Sequence, residues 1–119
     1  NVKYKFIDEI SNQIDEGAGP LKLTILPDKF DVYQNYPNPF NAETIVRYEL
    51  PQSEDVTIKI YDVIGREIFS VYHKKQRPGK NTFIWKGNSD LGGLASSGIY
   101  FLQISAGKEI RRMKMILLK

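Results

Sequence analysis

Residues 43–62 read ETIVRYELPQSEDVTIKIYD. Val46, Tyr48 and Leu50 alternate with Arg47 and Glu49, and beyond the turn-forming LPQSED Val56, Ile58 and Ile60 alternate with Thr57, Lys59 and Tyr61. Successive side chains of an extended strand point to opposite faces, so a period of two buries one face and leaves the other in water. Two strands joined by a short loop follow. Downstream, DVIGRE turns at Gly65, IFSVYHK makes a third strand of less regular pattern, and RPG ends it. KNTFIWKG places Phe83 and Trp85 on one face, with Trp85 in the core. NSDLGGLASSG is a loop of small and polar residues, and IYFLQIS and EIRRMKMILL close as a hairpin across AGK. Upstream, LKLTILP is a further strand candidate. Six or seven short strands separated by turn signals predict an all-β fold, an immunoglobulin-like β-sandwich of about seven antiparallel strands.

Residues 1–29 differ in kind. FIDEISNQIDEG has helix-like spacing at Phe6, Ile10 and Ile14, and DEGAGP is the most flexible stretch. These residues read as the tail of a preceding domain plus a linker, with the patterned module at 30–119. A chain of 119 residues suits one core. Seven Tyr, six Phe and one Trp lean toward sheet, and the absence of Cys removes disulfides, thiolate metal sites and a cysteine nucleophile together. No apolar run approaches the ~18 residues that span a bilayer. NVKYKF does not resemble a signal peptide, which leads us to expect a piece of a longer protein.

The net charge of +3 is uneven, with Lys108, Arg111, Arg112, Lys114 and Lys119 against Glu109 at the C-terminal end. These charges interleave with aliphatics and lack the stacking aromatics of a nucleic-acid surface, so no nucleic-acid partner is expected. Catalytic constellations are missing. His73 is the only histidine, no serine sits in a Gly-x-Ser-x-Gly elbow, and GNSDLGG precedes a strand where a phosphate loop would precede a helix. Asn88, Ser89 and Asp90 with Asp62 offer calcium oxygen ligands, but an EF-hand begun at Asn88 would need Glu where Ile99 stands. The carboxylate pairs Asp8–Glu9 and Asp15–Glu16 read as solvated surface. Neither enzyme nor cofactor is indicated.

QNYPNPFN, residues 34–41, leads into the patterned region. Pro37 and Pro39 fix φ, donate no hydrogen bond and push the preceding residues toward extended geometry, which excludes helix or central strand. The segment reads as an extended edge closed to further strand pairing, with Asn41 bonding back to its local backbone.

The order of YQNYPNPFNAETIVRYELP, VTIKIYDVIGREI, PGKNTFIWKG, SSGIYFLQISAG and KMILLK closely resembles the type A C-terminal sorting domain of the type IX (Por) secretion system of Bacteroidetes. The resemblance covers residues 30 to 119. It implies a secretion signal module that directs a large N-terminal cargo through outer-membrane machinery, passing through the periplasm to the cell surface or exterior. It also implies removal by a sortase-type surface peptidase, which we expect to cut within Glu16–Phe30. The family's lead-in corresponds to Pro37, Asn38 and Pro39, its Gly-x-Tyr element to Gly98 and Tyr100, and its terminal element to Lys114, Met115, Leu117 and Lys119. Ala42 stands where many members carry another proline, and WKGNSD varies a loop that often begins Trp-Asp-Gly. The alternatives are an Ig-like or fibronectin-like accessory module of a secreted hydrolase, binding carbohydrate through Trp85 and tyrosines, and the Ig-like domain of flagellar hook-capping proteins.

Overall fold

Alternation along 44–61 builds the centre of the molecule. The computed structural model describes residues 2–4 and 25–119, with side chains from Leu26 onward. Thr44–Leu50 forms strand β4 and Glu54–Tyr61 forms β5, each burying every second residue. The other strands are β1 (Val2–Tyr4), β2 (Ile25–Pro27), β3 (Asp31–Val32), β6 (Glu67–Gln76), β7 (Gly79–Trp85), β8 (Gly98–Ala106) and β9 (Glu109–Leu117). Two antiparallel sheets, β3-β4-β7 and β6-β5-β8-β9, carry the fold, and β1 pairs only with β2. No helix occurs among the described residues. The helix-like spacing of 6–17 lies outside them, and the described part of LKLTILP is strand β2.

The two sheets bury one core between them. Val46, Tyr48, Leu50, Phe83 and Trp85 come from the three-stranded sheet, and Val56, Ile58, Ile60, Leu102, Ile104, Met115 and Leu117 from the four-stranded one. Face-to-face burial of alternating residues is the packing of an immunoglobulin-like sandwich. Turn chemistry sets the register. Asp62 Oδ1 accepts from the Ile64 and Arg66 amides at 3.1 and 2.9 Å, while Gly65 takes φ +89°. Gly107 closes the β8–β9 hairpin at φ +60°, a conformation that favours glycine.

The irregular third strand has a local cause. Between Glu54–Gln76 and Val56–His73 the pairing shifts, and Lys75 sits at φ +51° opposite Asp55. The Lys75 amide donates to Asp55 Oδ1 at 2.9 Å, which holds this bulge on an edge strand.

Candidate functional site

The lead-in runs along the outer edge of β9. Phe40 N–H donates to Ile116 O at 2.9 Å and Phe40 O accepts from Leu118 N–H at 2.8 Å, a parallel bridge centred on Leu117. Side chains supply the remaining bonds. Asn38 Oδ1 accepts from Ile116 N–H at 2.9 Å, Gln34 Nε2 donates to Lys114 O at 2.9 Å, and Asn41 Nδ2 donates to Leu118 O at 3.3 Å. Further up the strand Arg111 donates to Phe30 O at 3.1 Å and lies 5.1 Å from the centre of its ring. The segment therefore does pair, against the expectation of a closed edge. Its prolines cannot donate, but Phe40 just beyond them can. Asn41 likewise reaches the far terminus instead of its local backbone.

A buried polar knot fixes the shape of this lead-in. Asn35 Nδ2 donates to Thr44 Oγ1 at 2.9 Å and to Pro37 O at 3.3 Å, and Thr44 Oγ1 donates to Pro37 O at 2.8 Å. Both side chains are buried and satisfied, the condition under which a polar pair specifies one conformation at low cost. Tyr36 bridges Ile45 of β4, and the Tyr36–Pro37 and Asn38–Pro39 bonds are cis. The loop 37–39 is left exposed between two anchored ends.

Beneath it, Phe40, Trp85 and Tyr100 pack in series, tilted and edge-to-face, with 5.5 Å between successive ring centres. Trp85 is fully buried and donates Nε1–H to Asn88 O at 3.0 Å, and Tyr100 OH donates to Ser96 O at 2.6 Å. Aromatic tips with a satisfied polar group pack as core. Gly98 pairs with Leu117 and Tyr100 with Met115, and the Lys119 amide donates to Ser97 Oγ at 2.9 Å.

All nine residues expected from the motifs thus converge on one end of the sandwich, and they divide by exposure. Pro37, Asn38, Pro39, Lys114 and Lys119 are exposed, Gly98 is half-buried, and Tyr100, Met115 and Leu117 are buried. Sequence reasoning passed over Gln34, Asn35, Phe40, Thr44 and Arg111. Gln34, Phe40 and Arg111 depend on partners far along the chain, and Asn35 and Thr44 on a side-chain knot around Pro37 that no period records. The loop oxygens considered for calcium are engaged with protein: Asp90 Oδ2 accepts from the Ser70 amide at 3.0 Å and Asp62 Oδ2 from Arg66 at 2.8 Å. Among the described residues no cluster of His, Cys, Asp or Glu could hold a metal.

A family model for the secretion system C-terminal sorting domain matches residues 34–119, starting within the lead-in and ending on the strand it grips. The chain belongs to that family. This sorting domain is similar in fold to part of dimeric latent PorU from Porphyromonas gingivalis, with 22% identity over 88% of this chain and 10% of that one, at a TM-score of 0.61. It is similar to part of PorZ, a surface component of the type IX secretion system of the same organism, with 18% identity over 74% and 11% and a TM-score of 0.52. The flagellar hook-capping protein FlgD of Xanthomonas campestris shares the fold at 14% identity over 76% and 63%, with a TM-score of 0.51. The sorting domain spans about a tenth of the length of the PorU and PorZ chains. Comparison with curated proteins found no match. The Ig-like sandwich expected from alternation is therefore the fold this type IX sorting domain has.

Proposed function

We propose that the module carries a cargo fused ahead of it through the type IX outer-membrane machinery as a folded signal, read through the exposed lead-in loop and the terminal lysines. The observation that supports this most is the lacing of Asn38 and Phe40 to Ile116 and Leu118, which joins two elements 78 residues apart into one surface. In this reading residues 30–119 are the module and 1–29 its junction with the cargo, and it acts as a signal, not as an enzyme. A sortase-type surface peptidase removes it within Glu16–Phe30, after transit through the periplasm to the cell surface. The carbohydrate-binding alternative loses its best candidate, because Trp85 is inside the core.

The buried and exposed halves of the element separate folding from recognition. Leu117→Ala empties a fully buried position and should cost roughly 2–4 kcal/mol, losing export by unfolding. Lys114→Ala with Lys119→Ala changes exposed side chains and should move stability by under about 0.5 kcal/mol. Export of a reporter fused to the chain in a type IX-competent cell should nevertheless fall sharply in the double lysine variant. Full export from that folded variant would remove the lysines from the signal.

A further inference from the structure

The outer face of the four-stranded sheet sets basic and large apolar side chains side by side. Register places Tyr61, Phe101 and Lys114 in one row across β5, β8 and β9, and Lys59, Gln103 and Arg112 in the next. Phe101 is 42% exposed and Ile99 39% exposed, large apolar exposure for the middle of a solvent-facing sheet. Arg112 Nε donates to Gln103 Oε1 at 2.9 Å, which holds the guanidinium flat on the sheet. Among the described residues no carboxylate lies within ion-pair distance of Arg112 or Lys114, and Lys59 pairs with Glu67 at 3.4 Å. On the β8–β9 half of the face Arg112 and Lys114 therefore stand without an ion-pair partner among the described residues. On the opposite sheet Lys80 shares a row with Glu49 and Asp31 across β7, β4 and β3.

We infer that the β8–β9 half of this face, built on Phe101, Arg112 and Lys114, is the docking surface for an acidic, partly apolar protein surface of the export machinery. This rests on the proposed sorting role and names the surface and the chemistry it reads. Charge complementarity selects an acidic partner, and the burial of Phe101 and Ile99 supplies area that cations alone lack. Arg112 and Lys114 lie two residues apart on one strand, roughly 7 Å, the spacing of alternate side chains on an extended acidic segment. A membrane is the poorer occupant. Each Lys or Arg gains only about 1 kcal/mol at an anionic bilayer, and membrane-binding segments gather four to eight such charges where this patch presents Arg112 and Lys114.

The test uses the whole 119-residue chain behind a secreted reporter in a type IX-competent cell. Arg112→Glu with Lys114→Glu, and separately Phe101→Thr, should each lower export by about tenfold or more, the scale set by like charges or a lost anchor at an interface, while the circular dichroism stays that of the parent and the melting temperature falls by at most a few degrees. The matched reversal Arg47→Glu with Lys80→Glu should export normally, and Arg112→Lys should retain most of the signal. Parental export from the folded β9 reversal would overturn the inference and remove Lys114 from the signal, leaving a sorting role read through the lead-in loop and Lys119. Failure of the unaltered chain to carry the reporter would overturn both. Binding of the parent chain to phosphatidylglycerol vesicles, lost on the β9 reversal, would replace the protein partner with lipid and overturn it as well.

Discussion

Tyr48 lies in the core at 1% exposure, and its hydroxyl is buried without a hydrogen-bond partner among the described residues. Burial pushes its phenol above the ordinary range, since nothing nearby stabilises the charged form. The aromatic ring earns its place by packing, so Tyr48→Phe should keep the packing, remove the unmet hydroxyl and raise stability by about 1 kcal/mol, read as a later midpoint in urea. A lower midpoint would show that the hydroxyl is bonded in solution. Asp55 tests a different residue-scale effect. The Lys75 amide, then the Tyr72 hydroxyl, hold its carboxylate below the usual range. A depressed folded value means stability that is present above the ordinary carboxylate pKa and is lost as pH falls through the folded one. Thermal melts of Asp55→Asn should therefore fall less steeply between neutral and strongly acidic pH than those of the parent, and identical slopes would exclude the contribution.

At the scale of elements, the lacing of 34–41 to β9 is held mainly by side chain to backbone bonds. Asn38→Ala should leave the Ile116 amide without its partner and cost about 1 kcal/mol, with faster hydrogen exchange at Ile116 while the β5–β8 amides keep their protection. Unchanged exchange at Ile116 would mean that the bond contributes nothing. This contact also marks where sequence reading ends. β4, β5 and β8 were legible because one face of each is buried and alternation records burial directly. β6 was ragged because it is an edge strand broken by the Asp55–Lys75 bulge. The proline lead-in was legible as extended chain, since proline restricts its own φ and its neighbour. Its partner was not, because a bond from Asn38 to Ile116 leaves no trace in the local pattern of either segment. The convergence of the motif residues was open only to resemblance; on β9 their division into exposed Lys114 and buried Met115 and Leu117 is the strand's own alternation, and for the lead-in it came from the packing.

At the scale of the molecule, the packing of β9 changes what a deletion can mean. Met115 and Leu117 are fully buried and the lead-in is tied to the same strand, so removing residues 108–119 strips one side of the core as well as the signal. Loss of export from such a truncation would follow from unfolding alone, and point changes on exposed positions are the informative ones. The N-terminal end behaves differently. Among the described residues β1 pairs with β2 and not with either main sheet, and the buried hydrophobic core runs from Phe30 to Leu117. β2 does touch β4 and β7, so its removal exposes some surface near Gly79. We expect deletion of residues 1–26 to leave a cooperative transition and to lower the melting temperature by only a few degrees, a change on the order of 1 kcal/mol for a domain of this size. Calorimetry of the 27–119 fragment checks this. A broad transition, or a loss of more than about 10 °C, would make the N-terminal hairpin part of the folding unit and move the boundary of the module upstream of residue 30.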